Sequence, residues 1–205
     1  MSKDSDTIHF RTMAVDDIGT VPIGHQGDQD EVRTRIRDLG SSAILAFDGN
    51  QHVGQLQFRR YAADTRSPKG LWHPLYWGEF GTDAPSLPDR TLSIFCYHVG
   101  QLDESDERDA RYQGRGIGLR LLDHFLDWAE HTGFEAVVAK ATPAPRAVMS
   151  FMGGQSVKAY TERGFEVFSS VVDQELRTIV REKQLAAADA DYDTAALISY
   201  CLKFF

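Results

Sequence analysis

The stretch Gln113-Gly114-Arg115-Gly116-Ile117-Gly118 limits the fold of this chain more than any other. Glycines alternate through it. An apolar stripe of helical period follows at once: Ile117, Leu121, Leu122, Phe125, Leu126 and Ala129. The pattern predicts a tight turn opening an amphipathic helix from Gly116 to Glu130, which Gly133 ends. Glycine lets the backbone take left-handed angles and approach a ligand closely. Successive N–H groups then point outward, and the helix N-terminus adds the positive end of its dipole. Such a turn suits a phosphate or pyrophosphate. The absence of Gly-Lys-Ser/Thr excludes a P-loop. The spacing G-x-G-x-G, mid-chain and without an acidic strand end about 20 residues on, gives poor support to a dinucleotide-binding Rossmann unit.

The surrounding elements follow from the same kind of reading. Leu92 to Val99 is rich in β-branched and aromatic residues and reads as a strand. Glu135 to Ala141 is a short apolar strand ended by Pro143 and Pro145. A helix joins the two, so the right-handed crossover rule makes them parallel neighbours. Upstream, Thr7 to Met13 alternates as a strand, and Asp28 to Leu39 is a polar helix with Val32, Ile36 and Leu39 on one face and Gly40 as its stop. Ser42–Phe47 and His52–Tyr61 flank Asp48-Gly49-Asn50, a strong hairpin signal. Downstream come a short helix from Gln155 to Arg163, a strand from Phe165 to Val172, a helical stretch from Asp173 to Ala188, and a last strand from Leu197 to Phe204. Residues 62–90 hold four of the seven prolines with Trp72, Tyr76, Trp77 and Phe80. They read as an irregular insertion with a strand near Leu75–Phe80. With 205 residues and no repeat or linker, one domain is the economical reading.

Composition narrows the function classes. Lys+Arg 22 against Asp+Glu 30 leaves a net charge of −8, which argues against nucleic acid and anionic membrane as partners. No uncharged apolar run approaches the roughly 20 residues of a membrane span. Met1 to Asp6 carries no apolar signal core, so the expectation is a cytoplasmic protein. Cys96 and Cys201 stand far apart without a C-x-x-C neighbour, so neither a disulfide framework nor a metal site is expected.

The spacing Gln-x-x-Gly-x-Gly at 113–118, after a strand and opening an amphipathic helix, resembles the GNAT superfamily of N-acetyltransferases. A second segment, Tyr160-Thr161-Glu162-Arg163-Gly164-Phe165, resembles the helix-to-strand junction of that superfamily. The element order agrees over nearly the whole chain, including a hairpin carrying Val53-Gly54. The resemblance implies an α/β (α+β) fold: a central mixed, mostly antiparallel twisted sheet flanked by helices, with a splayed parallel strand pair. It implies acetyl-CoA as co-substrate, its pyrophosphate on Gln113, Gly114, Arg115, Gly116, Ile117 and Gly118. The acetyl and pantetheine groups would lie along Cys96, Tyr97, His98 and Val99, where the family exposes a backbone N–H to the developing oxyanion at a β-bulge.

The departures fall where acceptors bind. The loop from Val99 to Gln113 is long and acidic, Gly153 stands where the family often has Asn, and 62–90 and 173–188 are additions. Tyr160 occupies the position of the usual general acid, and a phenol of pKa near 10 can protonate a departing thiolate. For the base, Glu79, His98 and water relaying the proton to solvent all stay open. Of Arg111, Arg115 and Arg120 around the turn, Arg115 is favoured for phosphate contact. Asp103-Glu104-Ser105-Asp106-Glu107 reads as a solvated loop, or as an attractor for a cationic amine. The Trp72–Phe80 patch either walls an acceptor pocket or covers core. Cys96 reads as a buried structural thiol rather than a nucleophile, and Cys201 as core. The implied activity is direct transfer of an acetyl group to a primary amine of a small molecule or protein. The alternative is a non-catalytic acetyl-CoA-binding module. The acceptor is not legible, and a homodimer stays open.

Overall fold

The computed structural model describes residues 8–62, 86–105 and 107–205. In chain order the elements are β1 (Ile8–Thr12), α1 (Gln29–Leu39), β2 (Ala43–Asp48), β3 (Gln51–Arg60), β4 (Thr91–Val99), α2 (Ile117–His131), β5 (Ala136–Ala141), α3 (Arg146–Met152), α4 (Val157–Thr161), β6 (Glu166–Val172), α5 (Gln174–Glu182) and β7 (Leu197–Phe204). The strands form one seven-stranded mixed sheet in the order β1-β2-β3-β4-β5-β7-β6. Pairing is antiparallel between β1 and β2, β2 and β3, β5 and β7, and β7 and β6, whereas β4 and β5 are parallel. By contact density the chain divides into two compact units, Met1–Phe58 with Tyr97–His131, and Arg59–Cys96 with Thr132–Phe205. Among the described residues no helix is long and apolar enough to cross a membrane.

In the first unit, local chemistry sets each boundary. Asp28 caps α1 by accepting from the N–H groups of Asp30 and Glu31, and Glu31 returns the bond to the Asp28 N–H at 2.9 Å. Gly40, at φ 90°, ends the helix. Val32 and Ile36 pack with Met13, Val21, Ala43, Leu45 and Phe47. In the β2–β3 hairpin Asp48 pairs with Gln51, so the turn proper is Gly49-Asn50, with Gly49 at φ 58°. The apolar stripe expected on α2 is buried throughout. Its rings enclose Phe58, whose centroid lies 4.9 Å from Phe125 and 4.8 Å from Trp128. Arg120 leaves the helix toward β1, donating to the Ile8 carbonyl at 3.0 Å over the Phe10 ring.

In the second unit, β4 pairs with β5 from Thr91↔Ala136 to Ile94↔Ala139. Three helices differ from expectation. α3 was not anticipated: seven residues after Pro145 are too few to display a period, although Val148 and Met152 anchor it against Leu176, Val180 and Ile198. α4 is shorter than Gln155–Arg163, because its Ser156 cap starts it later. The stretch expected to be helical to Ala188 ends at Glu182. Gln184 turns to φ 53°, and Leu185 folds back with its N–H on the Val180 carbonyl, joining the cluster around α3. The strand near Leu75–Phe80 and the patch of Trp72, Tyr76, Trp77 and Phe80 lie outside the described residues.

Gly54 on β3 faces the site strand at close range. A Cβ there would lie 2.7 Å from the His98 carbonyl oxygen and 3.3 Å from the Val99 Cα. Both are backbone atoms that cannot rotate away. Gly54→Ala is therefore expected to cost about 1–3 kcal/mol through overpacking. Thermal unfolding should show a fall in Tm of about 2–4 °C per kcal/mol. An unchanged Tm would mean that β3 and β4 tolerate a wider spacing than this.

Candidate active site

The glycine turn is built from its N-terminal side. The Asp109 carboxylate accepts from the Arg111 N–H at 2.9 Å and from the Arg111 guanidinium at 2.6 Å, starting a 3-10 turn over Ala110–Tyr112. Gly114 and Gly116 follow, both at φ 74°, a region that L side chains rarely enter. Among the described residues nothing lies within 4 Å of a Cβ built on Gly116, so they leave that face of the turn open. The Arg120 N–H donates to the Gly116 carbonyl at 3.1 Å and closes the first turn of α2. The N–H groups of Ile117, Gly118 and Leu119 precede any intrahelical acceptor. Open space, left-handed glycines and the positive end of a 15-residue helix fit an anionic group such as a pyrophosphate. Arg111 is engaged with Asp109 and Arg120 with β1, while the Arg115 guanidinium lies at the rim, 4.0 Å from the Asp48 carboxylate.

The end of β4 in the same unit carries Tyr97, His98 and Val99. Burial pushes the His98 imidazole down to about 3, with the charges of His25, Arg108 and His52 acting in the same direction. His98 is thus neutral over the whole physiological range. Its Nε2 has no hydrogen-bond partner among the described residues. The His25 ring leans on it, centroids 4.8 Å apart and planes tilted by 58°. Burial lowers His52 likewise, to about 4.

The segment bearing His25 is fastened by two fully buried glutamines of β3. Gln55 Nε2 donates to the Pro22 carbonyl at 2.7 Å, and Gln57 Nε2 to that of Ile23 at 2.8 Å. The His25 N–H returns a bond to Gln57 Oε1 at 3.3 Å. Gly24, at φ 62°, is required here, since a Cβ would fall 2.5 Å from Gln57 Nε2 and 3.0 Å from His98 Nε2. The acidic loop ties in as well. Glu104 Oε1 accepts from the Ile23 N–H at 2.8 Å, and the loop is pinched shut by the Asp109 N–H on the Gly100 carbonyl at 2.8 Å. Glu104 is thus a tether, and Asp103 accepts from the Ser105 N–H at 2.8 Å. The sequence did not single out Gln55, Gln57, Gly24 or His25. The available signal was polar residues at alternate positions of an otherwise apolar strand.

The second unit holds the remaining candidates. Tyr160 on α4 is 1% exposed, with its ring edge-on to Phe165 at 5.1 Å. Gly153 is the left-handed C-cap of α3 at φ 62°. Cys96 is buried with Phe95 and Val138, and Cys201 is buried with its thiol pushed up to about 12 by desolvation. Lys140, which sequence reasoning passed over, sits on β5 one residue beyond the last β4–β5 pair. Burial drives its amine down to about 7, opposed by the charges of Asp173 and Cys96 and reinforced by Arg59. Glu79 lies outside the described residues.

Comparison with known proteins places this geometry. No curated protein matches the chain. Among solved structures, the mosquito arylalkylamine N-acetyltransferase like 5b shares 16% identity over 97% of this chain and all (100%) of that one, with a TM-score of 0.52. An N-acetyltransferase from Staphylococcus aureus Mu50 shares 14% over 96% and 98%, TM-score 0.52. The structure of yncA from Salmonella typhimurium with its cofactor acetyl-CoA shares 14% over 97% and 94%, TM-score 0.51. At such identities these likenesses establish the fold. The model of the acetyltransferase (GNAT) family matches residues 16–165, which takes in the glycine turn, β4, α2 and Tyr160. The chain belongs to the GNAT acetyltransferase family.

Proposed function

We propose that the protein is an N-acetyltransferase that moves an acetyl group from acetyl-CoA directly to a primary amine of a small molecule or protein. One observation carries the reading: the open, left-handed glycine turn at the head of α2 in a chain of this family. Bound acetyl-CoA supplies the acyl group as a thioester. The backbone N–H groups from Gln113 to Gly118 hold its pyrophosphate, and Arg115 adds positive charge, which a chain of net charge −8 otherwise lacks. Backbone donors along Cys96 to Val99 hold the thioester carbonyl and stabilise the oxyanion.

His98 Nε2 accepts a hydrogen bond from the incoming amine and orients its lone pair. With a value near 3 it does not keep the proton, which passes on to water. Tyr160 protonates the departing thiolate. Glu79 is the remaining candidate for the proton. The burial of Tyr160 favours the second reading, a module that binds acetyl-CoA without turnover. A panel of amines assayed by CoA release separates the two.

Three outcomes test this reading. Gly116→Val places its side chain in the open face, so calorimetry should show at least a roughly tenfold loss of acetyl-CoA affinity, about 1.4 kcal/mol. A folded variant with unchanged affinity removes the turn from the binding site. Tyr160→Phe should keep acetyl-CoA affinity and lower kcat toward the weak end of the ~10²–10⁴-fold range of general acids, since a CoA thiolate leaves readily. If Tyr160 only packs, kcat stays near normal. In the pH profile of kcat/KM, the acid limb should follow the acceptor amine and keep its position in His98→Gln. A limb near 6.5 that disappears in this variant would instead make the imidazole a proton-holding base.

A further inference from the structure

We infer that His25 and His98 form a binding site for a borderline divalent transition-metal ion, of which Zn²⁺ is the natural probe. His98 Nε2 is a buried ring nitrogen with no hydrogen-bond partner among the described residues, on a residue only 2% exposed. Polar atoms in that position are costly, and native proteins nearly always give them a partner. The ligand nitrogens of His25 and His98 lie within 4.8 Å of each other. Two imidazoles on one tetrahedral Zn²⁺, at about 2.0–2.1 Å each, sit roughly 3.4 Å apart. Rotation of the exposed His25 side chain about its own bonds spans the difference, with no movement of β4.

The segment that presents His25 is held in place. Its N–H is on Gln57 Oε1, the Ile23 carbonyl on Gln57 Nε2 and the Ile23 N–H on Glu104. Burial keeps His98 neutral, so a metal ion displaces no proton there. The pair offers imidazole nitrogen and no carboxylate, which disfavours Ca²⁺ and Mg²⁺ and leaves ions that bond imidazole nitrogen directly. The pair is far apart in sequence and belongs to no ligand-spacing motif, so only the folded segment creates it.

The site has a functional consequence, which rests on the transferase reading above. An ion on Nε2 takes the lone pair proposed for the acceptor amine, so Zn²⁺ inhibits transfer. The test is calorimetric titration of the full chain with Zn²⁺ in a non-chelating buffer without acetyl-CoA, followed by activity with and without the ion. The expected result is one tight site for Zn²⁺, none for Mg²⁺, and a loss of at least the ~10–100-fold that even outer-shell changes cost, in both His25→Gln and His98→Gln. His25 is exposed, so its variant keeps the test valid if His98→Gln fails to fold. Basal transfer by His25→Gln should match the wild type and escape Zn²⁺ inhibition. Binding that persists unchanged in both variants, or no binding by the wild type, overturns the site. Binding lost in both variants but without inhibition upholds the site and counts against the role given to His98.

Discussion

The rest of the structure depends on where the parallel pairing of β4 and β5 stops. Register runs for four positions, Thr91 to Ile94 against Ala136 to Ala139. β4 itself continues to Val99. Backbone N–H and C=O groups are obligatory bonding groups, so an edge released from its neighbour must find another partner. On β5, Lys140 follows the last pair by one residue, and on β4 His98 follows it by four.

Buried polarity does the positioning. Gln55 and Gln57 lie fully inside an apolar strand, where an amide without partners would cost several kcal/mol. Their carboxamides are spent on the backbone of Pro22, Ile23 and His25. The segment is therefore held over β4 without regular secondary structure of its own. Gly24 permits the close approach, and Glu104 adds a tether from the acidic loop. The same burial that makes these bonds worthwhile also strips His98 of its basicity. It turns a residue that normally titrates near neutrality into a neutral hydrogen-bond acceptor.

Charge is arranged on a coarser scale. The chain is acidic overall, and the turn at the head of α2 offers left-handed glycines and backbone N–H groups. Arg111 and Arg120 are committed to Asp109 and to β1.

What the sequence by itself determined follows from local rules. Periodicity and capping placed α1 between Asp28 and Gly40, put the stripe of α2 in the core, set the β2–β3 hairpin around Asp48-Gly49-Asn50, and paired β4 with β5 through a helical crossover. The spacing Gln-x-x-Gly-x-Gly at 113–118 carried the family. These features rest on residues within a few positions of each other, or on a connection rule that needs only element order. α3 escaped because seven residues hold too little period, and α5 stopped early because Leu185 found a better place in the cluster of Val148 and Ile198. Only the tertiary structure decided that Gln57 holds His25 above His98, that Glu104 is a tether rather than a free carboxylate, and that burial lowers the basicity of His98 and Lys140. Each of these depends on burial and on partners distant in the chain. Desolvation is a property of the surrounding fold, which no local pattern of residues encodes.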